Sequence, residues 1–342
     1  MTPECRAFLE RIGTRRQQAE KRAKWMPRAD QHRYIYEQSF ENEIEAVAFF
    51  LAESLGRLPD FANPTAYSEH LRAQFLTHPN PLMAIAADKI AMREYCDLFD
   101  LPIRPLRLFE VFDDPDDLVP DDLPQNAMIK IADGCKMNLL HGPGMPVTRF
   151  AYRRFLRQFW HVDHWRRHAE LHYRDIPKRI LVEEALLPAE TIKDPCIFCV
   201  MGEPYIILDE THRTALKDGL RPLETLNGKY FSAPRSAFGT DAEVDAMIQT
   251  ARLLSQNFYH CRIDFMRNGD RLALCEITLS PGGYYHMLDT PEHERVRTAL
   301  LDPSRMPEFV ERGRKIAQEL GYSTETSFGH FTGDPRLSTG GQ

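Results

Sequence analysis

The residues with the clearest capacity for chemistry lie in two short runs, Cys261-Arg262-Ile263-Asp264-Phe265 and Leu274-Cys275-Glu276-Ile277-Thr278. Polar and apolar side chains alternate in both, which is the period of a half-buried strand. Between them Arg267-Asn268-Gly269-Asp270 carries an Asn-Gly turn signal, so the runs are expected to pair as a hairpin. Alternation places Arg262 and Asp264 on one face and does the same for Glu276 and Thr278. Two carboxylates brought together repel unless a cation lies between them. A hard, oxygen-ligated ion such as Mg²⁺ suits Asp264 and Glu276, with phosphate oxygens and water completing its shell. Arg262 then stands where an anion or developing oxyanion is stabilised. The same pattern also describes a solvated face of an amphipathic hairpin, and the hairpin alone leaves both readings open. Directly after it, Ser280-Pro281-Gly282-Gly283 offers small residues whose N–H groups can approach an anionic substrate group, or simply turn the chain.

Positioning such a site takes a sizeable scaffold. The 342 residues have room for one large two-lobed domain or two to three ordinary ones, and 43% apolar content supplies its core. A helix is expected over residues 1–30, crowded with Arg and Lys. A second, Phe40 to Leu55, has Ile44, Val47, Ala48, Leu51 and Leu55 at helical spacing and Gly56 as its stop. After a turn-rich connector at residues 58–64, helices are expected over Ser68–Phe75 and Pro81–Phe99. Strands follow at Leu106–Phe112, Ala127–Ile131 and Arg179–Leu186, the first two separated by an acidic, Pro-rich loop. Ile197–Leu208 reads as two strands about Met201-Gly202-Glu203. Helices are expected over Phe150–Tyr173 and residues 242–258. Hairpin-joined strands among helices point to an α+β fold, in three parts: helical residues 1–57, a small lobe within 58–185, and a lobe with the metal site in 186–342.

Bulk properties narrow the function. A net charge of −7 argues against a nucleic-acid backbone as the main partner. Seven cysteines are too few, and odd in number, for a disulfide scaffold; reduced thiols in the cytoplasm are expected. No apolar run reaches the roughly 18 residues of a membrane span, and the basic N-terminal stretch lacks the apolar segment of a secretory signal.

Arg262-Ile-Asp264, the turn, Glu276-Ile-Thr278 and Ser280-Pro281-Gly282 together resemble the C-terminal metal-binding signature of ATP-grasp enzymes, D-alanine–D-alanine ligases among them. The closer resemblance is to the TupA-like branch, associated with polysaccharide and teichuronopeptide assembly. It begins at Leu58-Pro-Asp-Phe-Ala-Asn-Pro-Thr and runs through Ala87-Asp88-Lys89-Ile-Ala-Met-Arg93-Glu-Tyr95, Ile129-Lys130 and Asp133-Gly134. It continues through Ile180-Leu-Val-Glu183-Glu184 and Cys199-Val-Met-Gly202-Glu-Pro204, covering roughly residues 55–290 in order. The resemblance implies an ATP-grasp fold, two α+β lobes gripping Mg-ATP. It implies that Lys89 and Lys130 contact phosphates, because a triphosphate needs fixed positive charge besides its metal. It makes residues 133–136, with Gly134 and Lys136, a flap over the phosphates, and sets Glu183 and Glu184 at the hinge, one reaching ribose or adenine. Asp264 and Glu276 would hold Mg²⁺, joined by Thr278, with Arg262 stabilising the transition state and Ser280, Gly282 and Gly283 facing the substrate. The chain departs from the family pattern in three places: Cys135, Lys136 and Met137 fill a normally Ser- and Gly-rich flap, Asp194-Pro195-Cys196 lacks a phosphate-facing cation, and Thr278 replaces an Asn.

Other features carry less. Cys196 and Cys199, three apart on a strand, point to opposite faces and read as buried thiols. His161, His164, His168 and His172 would form one helical stripe, able to ligate a metal or to dock an acidic glycan or phosphorylated acceptor, with a solvated polar face as the plainer reading. The aspartates of 113–122 lack the Gly and closing Glu of a Ca²⁺ loop. The expected function is an ATP-dependent carboxylate–amine ligase acting through an acylphosphate on a small-molecule or glycan acceptor. The alternatives are a kinase on the same scaffold, with Asp194 or a histidine as base, and a silent nucleotide- or glycan-binding homologue.

Overall fold

The computed structural model describes residues 1–209, 214–216, 231–281, 295 and 297–332. It opens with three helices, α1 (Pro3–Ala23), α2 (Arg28–Ser39) and α3 (Glu43–Leu55). Thr2 caps α1 by accepting from the Cys5 N–H, and α1 buries Cys5, Phe8, Ile12 and Ala19 toward α2 and α3. The single charged helix expected over residues 1–30 is in fact two, because Pro27 cannot donate to the ladder and the chain turns before it. Asn42 caps α3 and Gly56, at φ 66°, ends it as its sequence indicated.

Next come α4 (Tyr67–Thr77), α5 (Leu82–Ala87) and α6 (Ala91–Asp97). The continuous helix expected over Pro81–Phe99 breaks at residues 88–90. There the Asp88 carboxylate takes the Ile90 N–H at 2.9 Å and pairs with Arg179 at 2.5 Å, competing with helical hydrogen bonding. The break leaves Lys89 pointing toward the second half of the chain.

Two sheets follow. The smaller sheet contains β1 (Leu108–Phe112), β2 (Ala127–Ile131), β3 (Asn138–His141) and β4 (Ile180–Glu184), in the order β1-β4-β2-β3. Between β3 and β4 run α7 (Arg149–Phe159) and α8 (His164–His168). Ile129, Ile131, Ile180 and Val182 pack with Tyr152 and Phe155 of α7, so Lys130, Leu181 and Glu183 occupy the other face. The helix expected over Phe150–Tyr173 ends at Phe159; α8 is a separate short helix, closed by Ala169 at φ 53° and followed by a 3₁₀ turn at Leu171–Asp175. No local breaker signals this. The bend is tertiary: His164 turns to Glu170, and His172 is buried with its ring 4.6 Å from that of Phe75. The four histidines therefore form no stripe, and His164 and His172 are not solvated.

The larger sheet has the order β10-β9-β5-β6-β7-β8, from β5 (Pro195–Val200), β6 (Glu203–Asp209), β7 (Thr214–Leu216), β8 (Phe231–Ala233), β9 (His260–Asn268) and β10 (Arg271–Thr278). Among the described strand pairs β7–β8 is parallel and the others are antiparallel. Helix α9 (Asp241–Ser255) starts at a Thr240/Glu243 capping box and packs on β5, β6 and β9, while α10 (Met306–Glu319) packs on α5. Every residue of β5 is buried, as suits a central strand covered on both faces. Short β3, β7 and β8 gave no sequence signal, since three or four residues are too few for periodicity to register. Among the described residues no helix is long and apolar enough to cross a membrane.

Candidate functional site

The β9–β10 hairpin turns at Gly269, whose φ of 63° explains the Asn-Gly pair. Its register places Glu276 opposite Asp264 and Thr278 opposite Arg262. A bulge between Leu274 and Glu276 is what achieves this. Leu274 faces Phe265, so an unbroken ladder would set Cys275 against Asp264; the extra residue passes that place to Glu276. The Thr278 hydroxyl donates to Asp264 Oδ2 at 2.6 Å and lies 3.3 Å from Glu276 Oε1. Arg262 holds Asp264 through Nε, 2.6 Å from Oδ1, and a terminal nitrogen 3.0 Å from Oδ2.

Burial raises the Asp264 carboxyl; Arg262 opposes the rise and Glu276 adds to it, leaving the group at about 6. For Glu276, burial also raises, but Lys89, Arg262 and Lys130 outweigh it and hold the carboxyl below its ordinary value. One acid of the pair thus stays ionised while its neighbour resists ionisation. A cation between them would relieve that tension. Among the described residues no three His, Cys, Asp or Glu side chains gather into a metal cage. Two facing carboxylates and a hydroxyl fit Mg²⁺, which keeps several waters and takes one or two carboxylates alongside substrate phosphates.

The smaller sheet and the break after α5 bring cations to this pair. Lys89 Nζ donates to the Gly134 carbonyl at 2.5 Å and lies 3.9 Å from Glu276 Oε2. Lys130, on β2, has Nζ 2.5 Å from Glu183 Oε1, on neighbouring β4; Arg93 of α6 takes the other carboxylate oxygen. Glu183 is therefore a buried anion between two cations. Gly134 lies within the β2–β3 connection, where a Cβ would meet the Met137 sulfur at 2.4 Å. Cys135 and Lys136 are exposed at the tip, Lys136 with φ 59°.

The structure thus assembles Lys89, Lys130, Gly134, Glu183, Arg262, Asp264, Glu276 and Thr278. It does not bring Glu184 into that group: the next residue along β4 faces the opposite way, and its carboxylate pairs with Arg271 at 2.9 Å. Ser280 is buried and bonded to Glu170, which also lies 3.2 Å from His164 Nε2. Gly282 and Gly283 lie outside the described residues. Cys196 stands beside Asp264 on β5, and Cys199 beside Cys261. None of the seven cysteines forms a disulfide. Sequence reading gave no role to Arg93 or Glu170. Arg93 sits within the Ala-Met-Arg-Glu-Tyr motif and could have been noticed there; Glu170 carries no local signal.

This arrangement, a small antiparallel sheet carrying Lys130, with Lys89 beside it, over a hairpin carrying paired acids, is that of the ATP-grasp fold. Within it the chain belongs to the TupA-like ATP-grasp family, whose model matches residues 110–296, more than half of its length. No curated protein matches the chain in sequence. Among solved structures, a D-alanine–D-alanine ligase from Helicobacter pylori is similar at 14% identity and a TM-score of 0.43, over 64% of this chain and 62% of that one. A D-alanine–D-alanine ligase from Bacillus anthracis complexed with ATP is similar at 12% identity and TM-score 0.34, over 69% and 67% of the two chains. A RimK domain ATP-grasp protein from Sphaerobacter thermophilus shows 10% identity and TM-score 0.35, over 68% and 69%.

Proposed function

We propose that the chain is a Mg-ATP-dependent carboxylate–amine ligase, working in the cytoplasm on precursors of a cell-surface polysaccharide or related glycoconjugate. The observation that carries this reading is the cross-strand Asp264–Glu276 pair, with buried Lys89 3.9 Å from Glu276. ATP is the co-substrate. Lys89 and Lys130 turn to its phosphates, exchanging the Gly134 carbonyl and Glu183 for phosphate oxygens, while the Gly134–Lys136 connection folds over them. Glu184, at the end of β4, is the acid available to ribose or adenine, because Glu183 stays paired with Arg93. Asp264, Glu276 and Thr278 would hold Mg²⁺, which neutralises phosphate charge and aligns the γ-phosphoryl group. Arg262, released from Asp264, stabilises charge on the transferring group. A substrate carboxylate takes the γ-phosphoryl group, giving an acylphosphate and ADP; an amine then attacks the acyl carbon and releases phosphate. Ser280, Gly282 and Gly283 would face the acceptor.

Thermal unfolding with and without Mg-ATP tests the site. Wild type should gain several degrees, whereas Asp264→Asn and Glu276→Gln should gain little. No gain for wild type sinks the assignment. Product analysis then separates reactions: an amide with ADP and phosphate marks a ligase, a stable phosphomonoester a kinase.

A further inference from the structure

On the face of the smaller sheet away from Lys130, α7 carries a second cluster of cations. Arg154 and Arg157 of α7 and Arg28, at the start of α2, line a cavity of about 450 Å³ together with Gln31, Gln158 and His161. None of its lining residues is acidic. Arg57, Arg93, Arg166, Arg174 and Arg179, by contrast, each stand in an ion pair with a carboxylate. Among the described residues Arg28, Arg154 and Arg157 do not, although Arg28 reaches across to the Arg157 carbonyl and so fixes the cavity's width. Guanidinium groups converging without counter-ions present paired donors matched to phosphate oxygens.

We propose that this cavity is a binding site for a small phosphorylated molecule of the sugar-phosphate class, separate from the nucleotide cleft. Its volume falls in the range of small-molecule sites. The phosphate would lie among Arg28, Arg154 and Arg157, and the amides of Gln31 and Gln158 offer both donors and acceptors to hydroxyl groups. An adjoining hollow selects against long polyanions. It shares Arg28, Arg157 and His161 but is lined by Asp113, Asp114 and Asp116, which would repel a charged polymer running on from the first cavity. Because α2 and α7 come from different parts of the chain, the ligand ties the helical N-terminal region to the smaller sheet. Thermal stability should therefore rise with its concentration.

The test is calorimetric titration of the full chain, without nucleotide, using glucose 1-phosphate and inorganic pyrophosphate, with glucose as the uncharged control. Single-site binding is expected for both phosphates and none for glucose. Arg154→Gln/Arg157→Gln, two exposed positions whose change leaves the fold intact, should weaken binding by about tenfold or more. Lys130→Met, altering the nucleotide cleft, should leave it unchanged, and the arginine variant should keep any stabilisation by Mg-ATP. The proposal is overturned by an absence of phosphate binding at millimolar concentration. It is equally overturned if binding survives the arginine changes, or disappears with Lys130→Met while the arginine variant retains it.

Discussion

Glu183 is the residue whose loss should be felt most. Its buried carboxylate lies between Lys130, 2.5 Å away, and Arg93. Glu183→Gln preserves shape but leaves buried Lys130 and half-buried Arg93 sharing a neutral amide. Removing one member of a buried ion pair costs about 3–5 kcal/mol, because the remaining charge has neither water nor partner. Lys130→Met removes one cation but leaves Glu183 paired with Arg93, so its cost should be about 1–2 kcal/mol. The order, Glu183→Gln well above Lys130→Met, follows from the geometry alone. Urea unfolding of both variants and of the double mutant measures it; the double mutant should cost less than the two singles added, since one stranded cation is gone. For a chain of this size a loss of 4 kcal/mol lowers the melting temperature by about 5 °C. A Glu183→Gln cost below about 1 kcal/mol, or equal costs for the two singles, would refute the picture of a desolvated anion held from both sides.

Three further outcomes are expected. Gly202→Ala should destabilise by about 2 kcal/mol, because Gly202 sits at φ 83° and a Cβ would lie 3.0 Å from the Gln256 backbone; unchanged unfolding would contradict the turn geometry. Burial holds His172 and His260 at about 3, against 6.5 for the unconstrained side chain, so the unfolded chain binds protons first as pH falls. Their stabilisation is complete above pH 6.5 and is lost toward pH 3; Asp264, raised from 3.8 to about 6, offsets one of them between those two values, so these three groups together give a fall of about 1.4 kcal/mol per pH unit there. Urea midpoints that stay level from pH 7 to pH 5 would contradict this. Glu276→Gln should abolish stabilisation by Mg-ATP while leaving the apo protein folded, since Thr278 and Arg262 still hold Asp264; circular dichroism and thermal scans read the two effects separately.

The amino-acid sequence by itself determined the elements with strong local signals. Strand β2 has the bounds its apolar run announces, and α3 stops at Gly56 because only a residue tolerant of positive φ continues there. The Asn-Gly turn closes β9 on β10, and the order of motifs along the chain declares the ATP-grasp family. Tertiary structure decided the rest. Asp88 breaks the helix after Ala87 because Arg179, far along the chain, is there to pair with it, and that break sets Lys89 in the cleft. The histidines of residues 161–172 part company because Glu170 and Phe75 draw two of them inward. Most telling is the bulge at Cys275. Period-two alternation puts Glu276 on a face but does not say which residue it meets. Only the packing of the whole sheet absorbs the extra residue and seats that carboxylate opposite Asp264.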